Sequence, residues 1–293
     1  MRHGDIPNQT ILAIDGKAVA YICFFSALKE YGEGNTENIR LGTIYNFLSR
    51  IQGIAVRFKS NRLIFCWDSK SSVRIKICPE YKSDRYESED KDAIQHVFTE
   101  LEQKVLPSIG FNNNIRWEGF EADDILAVLA KGVKPTTPLV LVTTDRDLLQ
   151  CLKSNVVFHN PKRYNGFCET ATTFRNEYGI EPHQWADVKA LCGCQTDKVS
   201  GVPGVGPVKA LQYVKGELKR HHKAFFNIVE NPALIQRNRI LTTLPHPEAP
   251  KSVKLVSNSL SKEKIIQMAD DYGFDTFKEE LMPTWEKIIY GNY

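Results

Sequence analysis

Acidic residues directly after short apolar runs are the first candidates for chemistry in this sequence of 293 residues. Four apolar runs lead into acid, and the residues concerned are Asp15, Asp68, Glu121, Asp123, Asp124, Asp145 and Asp147. Ligand sites in an open parallel sheet form beyond the carboxyl ends of the strands, so we expect these carboxylates to meet at one sheet edge. Two carboxylates about 5 Å apart repel by roughly 3 kcal/mol at an effective dielectric constant near 20, so the group needs cations. Oxygen ligands favour Mg²⁺ or Mn²⁺, and a cluster of this size predicts two ions, as in phosphodiester cleavage.

The same acids also have a purely structural interpretation. An aspartate after a strand is commonly a turn or capping residue, which applies to Asp15 and Asp68. Acidic residues in the first turn of a helix interact favourably with the helix dipole, which applies to the segment 121–124. The residues and their spacing leave both interpretations open.

A glycine-rich turn and a basic segment suggest a second type of ligand. The turn, Gly201-Val-Pro-Gly204-Val-Gly206, predicts either a simple connector between helices or a helix-hairpin-helix whose backbone amides receive a phosphate. Around it, one acid, Glu217, accompanies a basic set of Lys198, Lys209, Lys215, Lys219, Arg220 and Lys223. A charge run is often a solvated face, but basic residues beside such a turn favour nucleic acid.

The predicted helices and strands that carry these residues indicate an α/β fold. Apolar runs at 11–14, 62–67, 139–142 and 156–158 predict strands, and helical spacing fills much of the chain between them. Such an alternation predicts a central, mostly parallel sheet flanked by helices. Helical patterns dominate after about residue 170. We therefore expect two regions, 1–170 and 171–293, the second packed on the first.

Composition is ordinary and excludes several classes of protein. Hydrophobic residues make up 42% and charged residues 25%, as in soluble globular proteins. No apolar run reaches the roughly 18 residues of a membrane span, and the N-terminus lacks the apolar core of a signal peptide. Seven cysteines without a CxxC pair predict reduced thiols in a cytosol-like compartment. The formal net charge of +3 does not by itself indicate a nucleic-acid partner.

Six segments together resemble the 5′-nuclease family, which includes flap endonucleases, the 5′ nuclease domain of bacterial DNA polymerase I and stand-alone phage 5′–3′ exonucleases. They are ILAIDG (11–16), FCWD (65–68), PEYKSDR (79–85), GFEADD (119–124), VTTDRD (142–147) and LCGCQTDKVSGVPGVGPVKA (191–210). The resemblance implies a PIN-like nuclease core, a helical arch around 79–105 and a helix-hairpin-helix at about 191–215. It also implies two-metal hydrolysis of phosphodiester bonds near 5′ ends or flaps.

The resemblance also implies roles for individual residues. Asp15, Asp68, Glu121, Asp123 and Asp124 would surround the first ion, with Asp145, Asp147 and Asp197 towards the second. Lys82 and Arg85 match arch positions that contact the scissile phosphate, and with Asp68 and Asp145 they form the expected catalytic set. The expected DNA contacts are Tyr81, Lys82, Arg85, Gly201, Gly204, Gly206 and Lys209. Tyr81 and Tyr86 are candidates for base stacking, with a packing role as the alternative for Tyr81. Backbone carbonyls of Val199, Val202 and Val205 resemble those that bind a monovalent cation, K⁺.

The chain departs from the family pattern beside the second ion. The usual Gly-Asp-x-x-Asp-Asn reads Gly193-Cys194-Gln-Thr-Asp197-Lys198 here, so a thiol replaces a carboxylate. A thiol is a soft, poor ligand for Mg²⁺, and we hypothesise a weaker second metal site. A catalytically weakened protein that binds DNA junctions is the alternative function. A phosphatase with Asp15 as nucleophile is disfavoured, since Lys17 stands where such enzymes commonly carry a second aspartate.

The resemblance further sets expectations for partners and location. Branched or 5′-ended DNA is the expected partner, with RNA–DNA hybrid as a further substrate, and no membrane is expected. We expect a monomer in the cytoplasm, of bacterial origin or encoded by a phage. Because the sequence ends soon after the nuclease region, we also expect a stand-alone enzyme rather than part of a polymerase.

Overall fold

A central sheet organises the molecule, which is described by a computed structural model for residues 10–83, 91–163 and 167–293. Its strands are β1 (Ile11–Asp15), β2 (Arg62–Trp67), β3 (Asn114–Arg116), β4 (Leu139–Val142), β5 (Val156–His159) and β6 (Cys168–Glu169). The order across the sheet is β3-β2-β1-β4-β5-β6. All neighbouring pairs are parallel except β5 and β6. The predicted fold class, a mostly parallel sheet flanked by helices, is confirmed.

The two central strands β1 and β4 are apolar on both faces because helices cover both sides of the sheet. Every residue of β1 (ILAID) and β4 (LVLV) is buried. The chain leaves β1 towards β2 on one side and later places β4 on its other side, so β1 and β4 form a topological switch point. Ligands of open α/β sheets bind at such a point, beyond the carboxyl ends of the strands.

Helices of the first half follow the strands closely. They are α1 (Gly16–Tyr31), α2 (Thr36–Arg57), α3 (Ser72–Ile77), α4 (Lys91–Glu100), α5 (Leu106–Ser108) and α6 (Ala122–Gly132), with a π-helical turn at Leu101–Val105 between α4 and α5. The arch predicted at 79–105 falls on this part of the chain. Its residues 84–90, which include Arg85 and Tyr86, lie outside the described residues.

Helices dominate the second half, as predicted. They are α7 (Ala171–Tyr178), α8 (Trp185–Cys192), α9 (Pro207–Val214), α10 (Lys223–Glu230), α11 (Pro232–Thr242), α12 (Lys262–Asp271) and α13 (Met282–Tyr290). Two short strands, β7 (Gly193–Cys194) and β8 (Val199–Ser200), pair as a hairpin between α8 and α9. This order suits a helix-hairpin-helix, whose role in binding phosphate stays a prediction. No helix of the described residues is long and apolar enough to cross a membrane.

Two large hydrophobic cores and a small third one hold these elements together, and all three cross residue 170. Trp285 of α13 and Met268 of α12 belong to the same core as Phe47 of α2. Phe174 of α7 belongs to the other large core, with Ile125 of α6. The predicted division at residue 170 therefore has no counterpart in separate cores among the described residues. The apolar faces of the C-terminal helices complete cores that the N-terminal half begins.

Candidate metal centre and active site

A cavity of about 580 Å³ lies at the carboxyl edge of the sheet, and we call it the acidic cavity. Six of the eight predicted metal ligands line it, namely Asp15, Asp68, Glu121, Asp123, Asp145 and Asp147. Asp15 ends β1, Asp68 directly follows β2, and Asp145 comes shortly after β4. The start of α6 adds the remaining acids of that segment. The topology thus brings together carboxylates that are up to 132 positions apart in the sequence.

Burial and mutual repulsion disfavour the charged forms of two of these carboxyl groups. Burial, together with the charge of Asp68, raises the pKa of Asp15 to about 7. Burial, together with the charges of Asp145 and Asp15, raises the pKa of Asp123 well above its usual range. Asp123 Oδ1 is buried without a hydrogen-bond partner. A divalent cation would satisfy this oxygen and neutralise the repulsion, so the donor set fits such an ion.

Three lysines contact the carboxylates from the walls of the acidic cavity. Lys17 Nζ lies 3.1 Å from Asp68 Oδ2, and Lys189 Nζ lies 2.6 Å from Asp147 Oδ1. Lys82 Nζ lies 2.5 Å from an oxygen of Glu121. Among the described residues, no three His, Cys, Asp or Glu side chains are arranged as the ligand shell of an ion. The acids converge on one cavity, where individual carboxylates contact ammonium groups.

The lysines change the electrostatics of the carboxylates that they contact. Burial alone would raise the pKa of Asp68, but the charge of Lys17 and a hydrogen bond from Ala122 N hold that pKa below its usual value. Asp147 behaves differently, because burial and the charge of Asp145 raise its pKa despite the contact with Lys189. Sequence reasoning missed Lys189, which is distant in sequence and has no local signal. The position of Lys17, two residues after the strand-end acid, was a usable signal.

Asp124 departs from the predicted ligand set. Its carboxylate is fully buried and pairs with the Arg74 guanidinium through contacts of 2.6 and 2.9 Å. Asp124 Oδ1 also accepts a hydrogen bond of 2.8 Å from His246 N. One residue along a helix rotates a side chain by about 100°, which turns Asp124 away from the cavity that Asp123 lines. The predicted role in metal binding is corrected to a buried ion pair beneath the site.

Tyr81 also departs from its predicted role. Only 5% of its surface is exposed, and its hydroxyl donates a hydrogen bond of 2.9 Å to Glu121 Oε2. A buried ring does not offer a face to a nucleobase, so the structure makes Tyr81 a residue that packs against the site and orients Glu121. Lys82 approaches the same carboxylate from the cavity side, as the predicted role near the scissile phosphate requires.

Asp197 and Cys194 lie beside the acidic cavity rather than in its lining. The carbonyl of Asp197 accepts a hydrogen bond of 3.1 Å from Lys82 N, which connects this turn to the first residues of the predicted arch. The charge of Asp197 contributes to the raised pKa of Asp147. Cys194 is half-buried, and its Sγ lies 3.1 Å from Thr196 Oγ1. The structure therefore places the unusual thiol on the Asp147 side of the cavity, where the second ion is predicted.

Close backbone contact or a positive φ accounts for two of the three glycines in the turn after β8. A Cβ at Gly201 would lie 2.3 Å from the backbone carbonyl of Cys192, so only glycine fits there. Gly204 has φ +73°, a conformation that other residues rarely adopt. Gly206 is the N-cap of α9, and in that helix Lys209 Nζ lies 2.6 Å from His222 Nε2.

The three valines predicted to bind a monovalent cation through their carbonyls have buried side chains in this hairpin. Val199, Val202 and Val205 are each less than 5% exposed. Val202 N donates to the carbonyl of Leu191, and Val205 N donates to the carbonyl of Val202. Val202 and Val205 pack into the same core as Phe174, and Val199 packs in a small separate cluster with Tyr81. A role of the carbonyls in cation binding stays a prediction.

Comparison with known proteins agrees with this geometry. The profile of the family described as 5′-3′ exonuclease, N-terminal resolvase-like domain, matches residues 10–179. The chain belongs to this 5′-3′ exonuclease family. The predicted resemblance is thereby confirmed, and the matched region contains β1 to β6 and the six acids that line the acidic cavity.

The relatives of this chain include both short and long proteins. DNA polymerase I of Mycobacterium tuberculosis is 27% identical over 300 residues, which cover 96% of this chain and 32% of that protein. The chain thus spans about a third of the length of such relatives. A protein named 5′-3′ exonuclease in Bacillus subtilis is 28% identical over 236 residues, which cover 79% of this chain and 77% of that protein.

Solved structures confirm the fold of this chain. The T5 D15 protein, co-crystallised with metal ions, superposes with a TM-score of 0.66 at 18% identity, covering 94% of this chain and 99% of that one. T5 5′-exonuclease with bound zinc gives a TM-score of 0.64 at 20% identity, covering 91% and 97%. Flap endonuclease-1 from Methanococcus jannaschii gives 0.61 at 16% identity, covering 100% and 96%.

Proposed function

We propose that this protein is a metal-dependent, structure-specific 5′ nuclease that hydrolyses phosphodiester bonds near the 5′ ends or flaps of DNA. The observation that carries the proposal is the convergence of six carboxylates on one cavity, around the buried and unpartnered Asp123 Oδ1. Relatives named 5′-3′ exonuclease and a structural neighbour solved with DNA and metal ions support it.

The residues of the cavity divide the work of the reaction. Asp15, Asp68, Glu121 and Asp123 would hold one ion, and Asp145 with Asp147 would hold the other, with Asp197 nearby. When bound, the two ions supply Lewis-acid stabilisation of the developing charge and lower the pKa of the attacking water. We assign Mg²⁺ or Mn²⁺ because all of these ligands are carboxylate oxygens.

The lysines would act on the phosphate rather than on the ions. Lys82 lies in the cavity beside Glu121, so its ammonium is placed to orient the scissile phosphate, with Arg85 as its predicted companion. Lys17 and Lys189 bring further positive charge to the same cavity. Positive groups aimed at the phosphoryl oxygens stabilise the charge that develops in the transition state.

The wider assignments belong to the same proposal. The glycine-rich turn of Gly201, Gly204 and Gly206, together with Lys209, would bind the duplex backbone. The carbonyls of Val199, Val202 and Val205 would bind K⁺. DNA with branches or 5′ ends is the proposed partner, and an RNA–DNA hybrid is a further substrate. We propose that the protein acts as a monomer. We also propose that it acts in the cytoplasm, with which its bacterial 5′-3′ exonuclease relatives are consistent.

Product mapping on a labelled 5′ flap, a nicked duplex and a blunt duplex, with Mg²⁺ at controlled salt, tests the proposal. We expect cleavage near the 5′ junction that Asp68→Asn and Asp145→Asn abolish. Asp187→Asn is the matched control, since Asp187 is a partly exposed acid of α8 that pairs with Arg239 outside the cavity. Binding of the flap without cleavage by the wild-type protein would instead support a non-catalytic junction binder. The intact acidic cavity argues against that alternative, because Cys194 lies outside its lining.

A further inference from the structure

A second cavity, about 350 Å³ in volume, lies on another side of α1, and we call it the basic cavity. Lys17 and Tyr21 line the acidic cavity, whereas Cys23 and Ser26 line the basic one. Successive helix residues are rotated by about 100°, so these two pairs of positions point in opposite directions from α1. The other walls of the basic cavity come from α2 and from the segment that follows β5.

The polar lining of the basic cavity is positively charged. Its main polar residues are Asn46, Ser49, Arg50, Arg57, His159 and Arg163, and no carboxylate is among the described residues that line it. A guanidinium carries its N–H donors in a planar fork that matches the oxygens of a phosphate, and the exposed Arg163 brings such a fork to the cavity. The amide of Asn46 and the hydroxyl of Ser49 can add neutral donors. The chemistry of this lining is therefore that of an anion site.

Two of the arginines are already oriented. Arg50 Nη1 donates a hydrogen bond of 2.7 Å to the carbonyl of Pro161, in the turn after β5. The Arg163 guanidinium lies over the ring of Phe167, 5.8 Å from its centroid. Side chains that are held in place lose less entropy when they bind a ligand, so this arrangement favours binding.

A buried histidine also lines the basic cavity. His159 ends β5 and is only 1% exposed. Burial lowers its pKa to about 4, and the charge of Arg57 acts in the same direction. The imidazole is therefore neutral at neutral pH, so it adds no charge to the cavity.

The basic cavity lies at the same edge of the sheet as the acidic one. β5 runs parallel to β4, and β4 runs parallel to β1, so His159 and Asp15 end their strands at one edge. Neighbouring strands are about 4.8 Å apart, which separates the ends of β1 and β5 by roughly 10 Å. One strand of duplex DNA carries a phosphate about every 3.4 Å of its axis, so roughly three nucleotides span this separation.

We propose that the basic cavity binds a phosphate group, and that this phosphate belongs to the backbone of the DNA whose 5′ region occupies the acidic cavity. The identity of the carrier rests on the proposed function, whereas the phosphate chemistry rests on the arginines. The site would thus hold the substrate a few nucleotides away from the bond that is cleaved.

The salt dependence of DNA binding tests the proposal. Binding of a 5′-flap duplex is measured without divalent ions, over a range of salt concentrations, for wild type, Arg163→Gln and Ser49→Asp. We expect the slope of log Kd against log salt to fall by about one for each phosphate contact that a variant loses. Arg175→Gln is the matched control, because Arg175 is exposed and pairs with Glu181 far from the cavity lining. Circular dichroism checks that each variant is folded.

A second measurement identifies the carrier of the phosphate. Inorganic phosphate is titrated into the same proteins while the melting temperature is recorded. Lower salt slopes in Arg163→Gln and Ser49→Asp, with an unchanged control, support a DNA phosphate. If the slopes do not change but inorganic phosphate stabilises only the wild type and the control, the site binds a free phosphate and the DNA assignment is overturned. If neither quantity distinguishes the variants from wild type, the basic cavity is not a phosphate site.

Flap cleavage by the wild-type protein separates this proposal from the proposed function. If the wild-type protein cleaves the flap and the variants match it in salt slope and in phosphate response, the proposed phosphate site is overturned and the proposed nuclease function stands. If the wild-type protein does not cleave but inorganic phosphate stabilises it in an Arg163-dependent manner, the proposed nuclease function is overturned and the phosphate site stands. Arg163 is exposed, so its replacement by glutamine tests the site without disturbing the core.

Discussion

The acidic and basic cavities flank α1 and gather charge of opposite sign. Burial and like charges raise the pKa values of Asp15 and Asp123 in one, while burial and Arg57 lower that of His159 in the other. In both, the protein holds groups whose ionised forms are disfavoured until a ligand of opposite charge arrives. The formal net charge of +3 is therefore the difference between 38 basic and 35 acidic residues that are partly sorted into separate cavities.

A second contrast lies within the acidic region, between two adjacent residues. Asp123 lines the cavity and keeps one buried oxygen without a partner, whereas both oxygens of Asp124 are bonded to Arg74. One carboxylate is poised for a cation and costs stability, and the other stabilises the start of α6. The acids of this segment thus fall into two kinds, one proposed to bind a cation and one that stabilises the fold, and mutations can distinguish them.

The largest expected effect concerns the acidic cavity. Asp145→Asn removes a carboxylate proposed to hold an ion, and we expect single-turnover cleavage of a 5′ flap to slow by at least about 1,000-fold. DNA affinity should stay equal or increase, because a negative charge near the phosphates is lost. Arg163→Gln should show the reverse, with weaker binding at an unchanged rate on saturating DNA. A comparable loss of cleavage rate in both variants would contradict the assignment of catalysis to the acidic cavity and of DNA binding to the basic cavity.

The next effect separates Asp124 from Asp123. Asp124→Asn removes the nearer of two counter-charges of the buried Arg74 guanidinium and leaves Glu121, 3.7 Å away, so we expect the free energy of unfolding to fall by about 3 kcal/mol. Asp123→Asn relieves repulsion and should leave that free energy unchanged or higher. Urea denaturation without divalent ions measures both. Equal destabilisation by the two variants would show that Asp124 is not the supporting residue of the pair.

The basic cavity should make stability depend on pH in the acid range. The pKa of His159 is about 4 when folded and ordinarily 6.5, so below pH 6.5 the unfolded chain binds the proton more readily. The contribution is present above pH 6.5 and is lost as pH falls to 4, by about 3 kcal/mol at 1.36 kcal/mol per pKa unit. Denaturation of wild type and His159→Phe at several pH values measures it. The variant should lack this loss, and an identical pH profile would refute the assignment to His159.

The acidic cavity should show the opposite sign. The pKa of Asp15 is raised to about 7 from its ordinary 3.8, so the folded protein holds a proton that the unfolded chain releases. The contribution is largest below pH 3.8 and is lost as pH rises to 7. Asp15→Asn should flatten this part of the profile when divalent ions are absent. A steeper profile in the variant would mean that the sign is reversed.

The smallest expected effect concerns Cys194. We expect Cys194→Asp to lower the Mg²⁺ concentration for half-maximal cleavage by about tenfold, since it returns a carboxylate beside the predicted second ion. Cys192→Ala is a useful control, because Cys192 is a neighbouring thiol that is also absent from the lining of the acidic cavity. If the Mg²⁺ requirement and the rate of Cys194→Asp equal those of wild type, the hypothesis of a weakened second site fails.

The convergence of the acids was predictable because it depends on local pattern. Three buried runs with acid at or just after their carboxyl ends define parallel strands, and parallel strands place those ends at one edge. Asp15, Asp68 and Asp145 follow this logic directly. The burial of Tyr81 and the orientation of Asp124 did not follow, because they depend on which partner packs against α3 and α6. The partners of Asp124, Arg74 and His246, lie 50 and 122 positions away.

The sequence by itself determined the strand ends, the acids placed on them and the family to which the chain belongs, since these depend on residue types at short spacing. The tertiary structure decided how each charge is used. It paired Asp147 with Lys189, placed α13 in the core of the N-terminal half, and brought Arg50 and Arg163 together at the basic cavity. Electrostatic and packing contacts act through space, and residues distant along the chain become partners only when the fold has closed.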